Sequence, residues 1–276
     1  MSDFDEISKC LSAAKSIRMR IIDMAHNAGH TGAHLGGSLS LVEIMSALYC
    51  GVMNFDPRNP IAENRDRLIL SKGHGGAAQY ATLYEIGILS DSDILTFKCD
   101  DSVLGTHPAI NANIGIEFSS GSLGQGLSLG VGVALALKRR GNETSRVFVI
   151  LGDGECNEGQ IWEAAMSAAH FRLDNIVAVI DRNSLQNDGK TENIMPLEPF
   201  ADKWAAFGFD TVSVDGHSVE QLFGALSKKS DKPLAVIAKT VKGKGVSFAE
   251  NAVEWHNGVL TDALYKQAVS EQEGAK

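Results

Sequence analysis

The stretch that most constrains what this chain can fold into is VFVILGDGECNEGQIWEAAMSAAHFRLDNIVAVIDRNSLQNDGKT, residues 147–191. Residues 147–151 form a short apolar run, rich in β-branched side chains and stopped by glycine, as expected of a buried parallel strand. Residues 158–170 then place Ile161, Trp162, Ala165, Met166 and Ala169 at spacings of three and four, which predicts a helix with one apolar face. A second apolar strand, residues 176–180, ends in Asp181-Arg182-Asn183. Strand, helix and strand make one unit of a parallel α/β sheet. In such a sheet ligands sit beyond the carboxyl ends of the strands, so both polar loops should open onto one crevice.

What those loops can bind follows from their atoms. Asp153 brings a carboxylate oxygen and Asn183 an amide oxygen, and the bend after Asn183 can turn the main-chain carbonyl of Leu185 toward the same point. Three hard oxygen donors suit Mg²⁺, or Ca²⁺, with the remaining positions left to phosphate oxygens and water. Gly152 and Gly154 let backbone N–H groups approach an anion closely, and the helix start near Glu158 adds unpaired N–H groups with the positive end of the dipole. The group that matches is a metal diphosphate.

Other readings of the same residues are weaker. A lone Gly-Asp-Gly is ordinarily a tight turn. The dinucleotide fingerprint would need glycine where Asn157 stands, and a G-x-x-x-x-G-K-[ST] loop is absent. The loop from Asp181 begins like a calcium-binding EF-hand but fails at Leu185 and Gln186, where that loop needs a ligand and a glycine.

A chain of 276 residues can bury roughly three quarters of its unfolded surface, enough for one large core. Its net charge of −9 argues against nucleic acid or an anionic membrane as the main partner. Cys10, Cys50, Cys99 and Cys156 are scattered without a C-x-x-C pair, which indicates neither a zinc site nor a disulfide framework and fits a reduced cytosol. The acidic amino terminus does not read as a signal peptide, and no apolar run is expected to span a membrane.

Along the chain, residues 4–27 predict an amphipathic packing helix ended by Gly29. His26, His30 and His34 fall four apart, but the glycines at 29, 32, 36 and 37 favour a flexible loop with exposed histidines over a metal-binding helix. Ser38 is placed to cap a helix over residues 39–49. Residues 66–71 read as a strand, followed by Lys72-Gly-His74-Gly and a helix; His74 could simply cap that helix. A short helix over 91–98 and a Gly-Thr-His107-Pro turn come next. Gly121-Ser122-Leu123-Gly-Gln-Gly then opens a helix of small residues, 127–137. Residues 190–199 read as an irregular loop, 209–214 and 234–239 as strands separated by a helix over 219–228, and 241–276 as a carboxyl-terminal loop and tail containing His256, its residues from 260 a polar helix or a frayed end.

The GDG-to-Asn spacing of 30 residues, together with GHTG, SKGHG, GTHP and GSLGQG, resembles the transketolase family of thiamine-diphosphate-dependent enzymes. The resemblance implies a three-layer thiamine-diphosphate-binding α/β fold, with a mostly parallel central sheet flanked by helices, formed as a single domain by residues 1–276. It further implies transfer of a two-carbon ketol unit from a ketose phosphate to an aldose phosphate, by carbanion chemistry that resides on the cofactor. Carried over residue by residue, it sets Asp153, Asn183 and the Leu185 carbonyl on Mg²⁺. His74, Gly152, Gly154 and Glu155 fall at the diphosphate, Gly121, Ser122 and Leu123 at the aminopyrimidine, and His30 and His107 at substrate hydroxyls. Serine stands at position 122 where the family has proline, which loosens the turn without removing its backbone. The late loop of the family has two histidines where this chain has only His256, here given a cofactor role. Glu158 matches a glutamate that crosses to a neighbouring chain, although an acid in the first turn of a helix is also favourable by itself.

The resemblance covers only the first third of a full transketolase. It therefore implies a split enzyme, with a partner subunit carrying the pyrimidine-binding domain in an α₂β₂ heterotetramer. The substrate default is the pentose phosphates; a transketolase for sulfonated or branched sugars would look the same here. Two other readings stand: the α-type subunit of a thiamine-dependent 2-oxo acid dehydrogenase, and a non-catalytic cofactor-binding assembly subunit.

Overall fold

The computed structural model describes residues 3–274, and its centre is a five-stranded, wholly parallel sheet. The strands are β1, Arg67–Leu70; β2, Val147–Gly152; β3, Ile176–Arg182; β4, Asp210–Asp215; and β5, Leu234–Lys239, in the order β1-β2-β3-β5-β4. Because successive strand residues point to opposite faces, the apolar runs supply two cores at once. Leu68, Leu70, Phe148, Ile150, Val177, Val179 and Val236 face one core, whereas Ile69, Val149, Leu151, Ala178, Ile180 and Ile237 face the other.

The helices are α1, Asp3–Asn27; α2, Leu35–Leu39; α3, Val42–Ala47; α4, Gly76–Glu85; α5, Asp91–Ile94; α6, Gln125–Arg139; α7, Gly159–His170; α8, Thr191–Ile194; α9, Phe200–Ala206; α10, Val219–Ser227; and α11, Asp262–Gly274. Helices α1, α3, α4 and α10 cover the first face of the sheet, and α6, α7 and α9 the second. The loop after β3 leads to α9 on one face, while the loop after β5 leads to α11, which packs against α1 on the other. Connections that part in this way open a crevice between neighbouring strand ends. All the polar loops singled out above empty into this end of the sheet.

Several local expectations are corrected. The buried stripe of α7 runs through Ile161, Ala164, Ala165 and Ala168, so Met166 is turned outward and is 55% exposed. The helix expected over 39–49 is broken into α2, α3 and a π turn, Leu48–Val52. Ser38 lies inside α2 with a buried hydroxyl and caps nothing. The helical run Leu35–Val52 is, against expectation, long and apolar enough to cross a membrane by length and composition. It is apolar because protein surrounds it on nearly every side. The loop over 190–199 contains the single turn α8. Of the two readings of the residues from 260, helix or frayed end, the structure has the ordered helix, α11. His26 explains that order: it stacks on Tyr265 with ring centroids 4.1 Å apart and lies 2.8 Å from Asp262. Residues 1, 2, 275 and 276 lie outside the described residues.

Helix α6 owes its position to its glycines. A Cβ at Gly130 would fall 2.5 Å from Val149 Cγ2 and one at Gly126 would fall 2.4 Å from Ser71 Cβ, so the helix backbone lies directly on β1 and β2. Gly130→Val should therefore overpack this contact and destabilise the fold by about 1–3 kcal/mol. Chemical denaturation measures the shift, and an unchanged midpoint would show that α6 does not rest on β2.

Candidate active site

The ends of β1, β2 and β3 lie side by side, with Gly152 in register with Asp181. The loops they carry are tied together by two buried carboxylates. Asp181, wholly buried at the end of β3, lies 2.5 Å from Lys72 Nζ, itself 0% exposed, at the end of β1. It also accepts from Ser40 Oγ at 2.7 Å, from Asn183 Nδ2 at 3.0 Å and from Thr240 Oγ1. Burial alone would raise the Asp181 carboxyl, but the charge of Lys72 and these hydrogen bonds outweigh it and hold the group below the ordinary aspartate value. Glu155 plays the corresponding part under β2. It accepts from Ser71 Oγ, from Gly124 N–H at 2.8 Å and from Gly152 N–H at 2.9 Å. Its carboxylate thus joins the GDG turn, the end of β1 and the start of α6.

Asp153 is 2% exposed and accepts from Arg182 Nη1 at 2.9 Å and from Ser184 N–H at 2.6 Å. Burial, and then the nearby Asp181 charge, push its carboxyl up against the pull of Arg182. Asn183 Oδ1 accepts from Leu185 N–H at 3.1 Å, which folds the loop back on itself. The Leu185 carbonyl accepts from Lys242 Nζ at 3.4 Å. Among the described residues no three His, Cys, Asp or Glu side chains are grouped to hold a metal ion. The available donors are therefore one carboxylate, one amide and the main chain. Two of those three oxygens already have a cationic group beside them, Arg182 at Asp153 and Lys242 at Leu185. An oxygen set that draws cations fits Mg²⁺ or Ca²⁺.

Beside it stands a cluster of imidazoles. His34 lies with ring centroids 6.0, 5.6 and 5.5 Å from His74, His107 and His256, and His74 lies 5.1 Å from His256. Lys242 Nζ is 2.8 Å from His256 Nδ1. Lys98 Nζ binds the carbonyls of Thr31 at 2.8 Å and Gly32 at 2.6 Å, bracing the loop that leads to His34. Burial lowers all four imidazoles. Neighbouring positive charge lowers them further, to about 4 for His34 and about 3 for His256, with His74 well below its ordinary value. Burial and then Lys72 bring Lys242 to about 8. A crevice whose bases are depressed first by burial and then by neighbouring cations is short of an anion, and a diphosphate supplies one.

The sequence-derived residues thus divide. His74, His107, Gly121, Asp153, Glu155, Asn183, Leu185 and His256 meet at this crevice; a Cβ on Gly121, whose φ is +130°, would approach His107 Cγ at 3.3 Å. Ser122, Leu123 and Glu158 are exposed at its rim, Glu158 as the residue preceding α7 with no capping bond from its side chain. His30 stands exposed in the turn Gly29–Thr31, outside the cluster, and His34 occupies the place within it. The loop of exposed histidines therefore describes only His30, since His26 is engaged by α11. Lys72 and Lys242 carry no signal in the sequence, and Asp181 and His34, although noticed there, were given no place in the site.

The model of the transketolase thiamine diphosphate binding domain matches residues 9–273. The chain belongs to the transketolase family. The 6-deoxy-6-sulfo-D-fructose transketolase subunit SqwG of Clostridium sp. (strain MSTE9) is 44% identical over 243 residues, 87% of this chain and 88% of that protein. One of the subunits of an apulose-4-phosphate transketolase, from Phocaeicola vulgatus, is 41% identical over 257 residues, 92% and 90% of the two chains. Human transketolase is 35% identical over 92% of this chain, which matches only 41% of that protein. The solved transketolase of Leishmania mexicana superposes with a TM-score of 0.87 at 27% identity, covering 96% of this chain and 41% of that one. This transketolase chain therefore has the extent of the subunit relatives, and the family match removes the 2-oxo acid dehydrogenase reading.

The pair at the base of the crevice is testable. Lys72→Met should leave Asp181 buried without its counter-ion and cost about 3–5 kcal/mol of stability. Equilibrium unfolding measures it, and a loss under about 1 kcal/mol, the value of an exposed pair, would mean that water reaches this site.

Proposed function

We propose that this chain is the diphosphate-binding half of a two-subunit transketolase. Asp153, Asn183 and the Leu185 carbonyl would hold Mg²⁺, and His74, Lys242 and His256 would face the diphosphate of thiamine diphosphate. The observation that carries the reading is the convergence of a hard oxygen donor set and an anion-deficient group of lysines and histidines on adjacent strand ends. When bound, thiamine diphosphate supplies the electron sink that lets a carbon–carbon bond beside a carbonyl break and re-form.

The chain's own groups position and move protons. His34, His74 and His256 are neutral at pH 7, so each offers one N–H donor and one lone pair, the combination that both binds a hydroxyl and accepts its proton. Lys242 donates to His256 Nδ1, so the His256 proton lies on Nε2. His107, exposed at the crevice, would meet sugar hydroxyls, and His30, exposed in the turn Gly29–Thr31, is proposed beside it. Gly121, Ser122 and Leu123 would present backbone to the aminopyrimidine. Exposed Glu158 would reach into the partner subunit, which would bring the pyrimidine-binding domain and the groups that read the sugar phosphate. An α₂β₂ assembly and a reducing, cytoplasmic setting complete the proposal; the four cysteines are unpaired. Pentose phosphates are the default substrates. The relatives named for sulfofructose and apulose phosphate favour testing sulfonated and branched sugars beside them.

Asp153→Ala should abolish Mg²⁺-dependent binding of thiamine diphosphate by the reconstituted enzyme. Titration calorimetry decides this, and an unchanged affinity would remove the metal assignment. The isolated chain should give no ketol transfer, and turnover should appear on mixing with the partner subunit. Transfer by the chain alone defeats the split-enzyme proposal, whereas an inert mixture that still binds cofactor would favour a non-catalytic assembly subunit.

A further inference from the structure

The loop bearing Lys242 is clamped from behind by three residues outside the crevice. Val241 N–H, just before Lys242, donates to His217 Nε2 at 2.8 Å. The Lys244 carbonyl, just after it, accepts from Arg18 Nη1. Both of these side chains converge on Glu43: Arg18 Nη2 donates to Oε1, and His217 Nδ1 lies 2.8 Å from Oε2. Since Val241 donates to Nε2, that nitrogen carries a lone pair. The imidazole proton is then on Nδ1 and points at Glu43. Glu43 thus selects the one neutral tautomer able to receive Val241. Arg18 and Glu43 are 8% and 9% exposed. Burial would raise the Glu43 carboxyl, but the His217 hydrogen bond and the Arg18 charge outweigh it, and it remains an anion at neutral pH.

Arg18 comes from α1, Glu43 from α3, and His217 from the turn between β4 and α10, so the clamp fixes one loop to three elements of the first layer. Lys242 between its jaws is 1% exposed and directs Nζ to the Leu185 carbonyl at 3.4 Å, the Gln186 carbonyl at 3.3 Å and His256 Nδ1 at 2.8 Å. A four-carbon side chain with free rotors would not hold three such partners unless its backbone were fixed.

We propose that Arg18, Glu43 and His217 are positioning residues that act through the 241–244 backbone to aim Lys242 at the cofactor's diphosphate. The inference rests on the proposed role of Lys242 and deepens it.

The test uses the enzyme assembled with its partner subunit, with hydrogen exchange for the loop and calorimetry with thiamine diphosphate and Mg²⁺ for the ligand. His217→Ala and Glu43→Gln should accelerate amide exchange over residues 241–246 while β2 and β3 keep their protection. Each should weaken cofactor affinity on the order of 10- to 100-fold, the range for outer-shell partners of a binding group. His217→Gln, whose amide oxygen reaches the Nε2 position, should recover most of both losses. In a Lys242→Met background, His217→Ala should cost nothing further, because both changes remove one interaction. Unchanged exchange at 241–246, equal losses in the Ala and Gln variants, or a full second loss in the Lys242→Met background each overturns the proposal. If Lys242→Met itself leaves affinity intact, the diphosphate role of Lys242 fails, and the exchange data still show whether the clamp holds the loop.

Discussion

The architecture of the crevice depends on one buried ion pair, Lys72 with Asp181. Both side chains are fully enclosed, and each belongs to a different strand end with β2 between them. A buried charge is tolerated only when its partners are complete. Asp181 meets that condition by taking Lys72 from β1, Ser40 from the turn after α2 and Thr240 from the loop after β5, in addition to its own neighbour Asn183. The ends of β1, β3 and β5 and the turn after α2 are thereby referred to a single carboxylate. Glu155 repeats the arrangement one strand over with two backbone amides and a serine. The sheet supplies the platform, and these two acids set the heights of the loops upon it.

Once the loops are set, their residues create an imbalance of charge. Lys72 is matched by Asp181, but Lys242 has only carbonyl oxygens and a neutral imidazole as direct partners. The histidines respond by shedding their protons, which keeps them neutral bases rather than additional cations. That response leaves the crevice receptive to a polyanion while preserving groups able to exchange protons with a sugar hydroxyl. Burial lowers the histidines and Lys242 alike, the sense opposite to what an anion would impose, and because the lysine starts from a higher value the cation and the neutral bases occupy the same small volume.

How much of this was legible in the sequence depended on whether the signal was local. The strands β2 and β3 announced themselves by apolar runs, and the glycines of α6 by a composition suited to close packing. Asp153, Asn183 and Leu185 could be named because loop chemistry next to a strand end is readable without knowing the rest of the fold. The buried hub was not readable, since Lys72 and Asp181 are 109 residues apart in the chain and look like an ordinary loop lysine and a strand-end acid. The choice between His30 and His34 failed for the same reason. Only the tertiary fold shows that residue 34 begins α2 under the histidine cluster while residue 30 sits on the outside of a turn. Met166 marks a smaller limit: periodicity gives the apolar stripe of a helix to within about one residue of rotation, and the sheet, not the helix, decides which edge of the stripe is covered.

Arg182 connects these two scales. It follows the hub residue Asp181 directly, yet its guanidinium turns away to join Asp153 at 2.9 Å, Glu192 at 2.7 Å and Glu198 at 3.1 Å. Alternation along β3 requires this, because neighbouring side chains point to opposite faces. One dipeptide at the end of a strand therefore secures the base of the crevice with its acid and the Asp153 carboxylate with its base. A ligand that brought a divalent ion to Asp153 would have to share that carboxylate with Arg182, whose remaining two acidic partners lie on the segment around α8. The segment 190–199 is thereby tied to Asp153 through that guanidinium, and its Lys190 and Glu192 line a hollow together with Asn183 and Leu185.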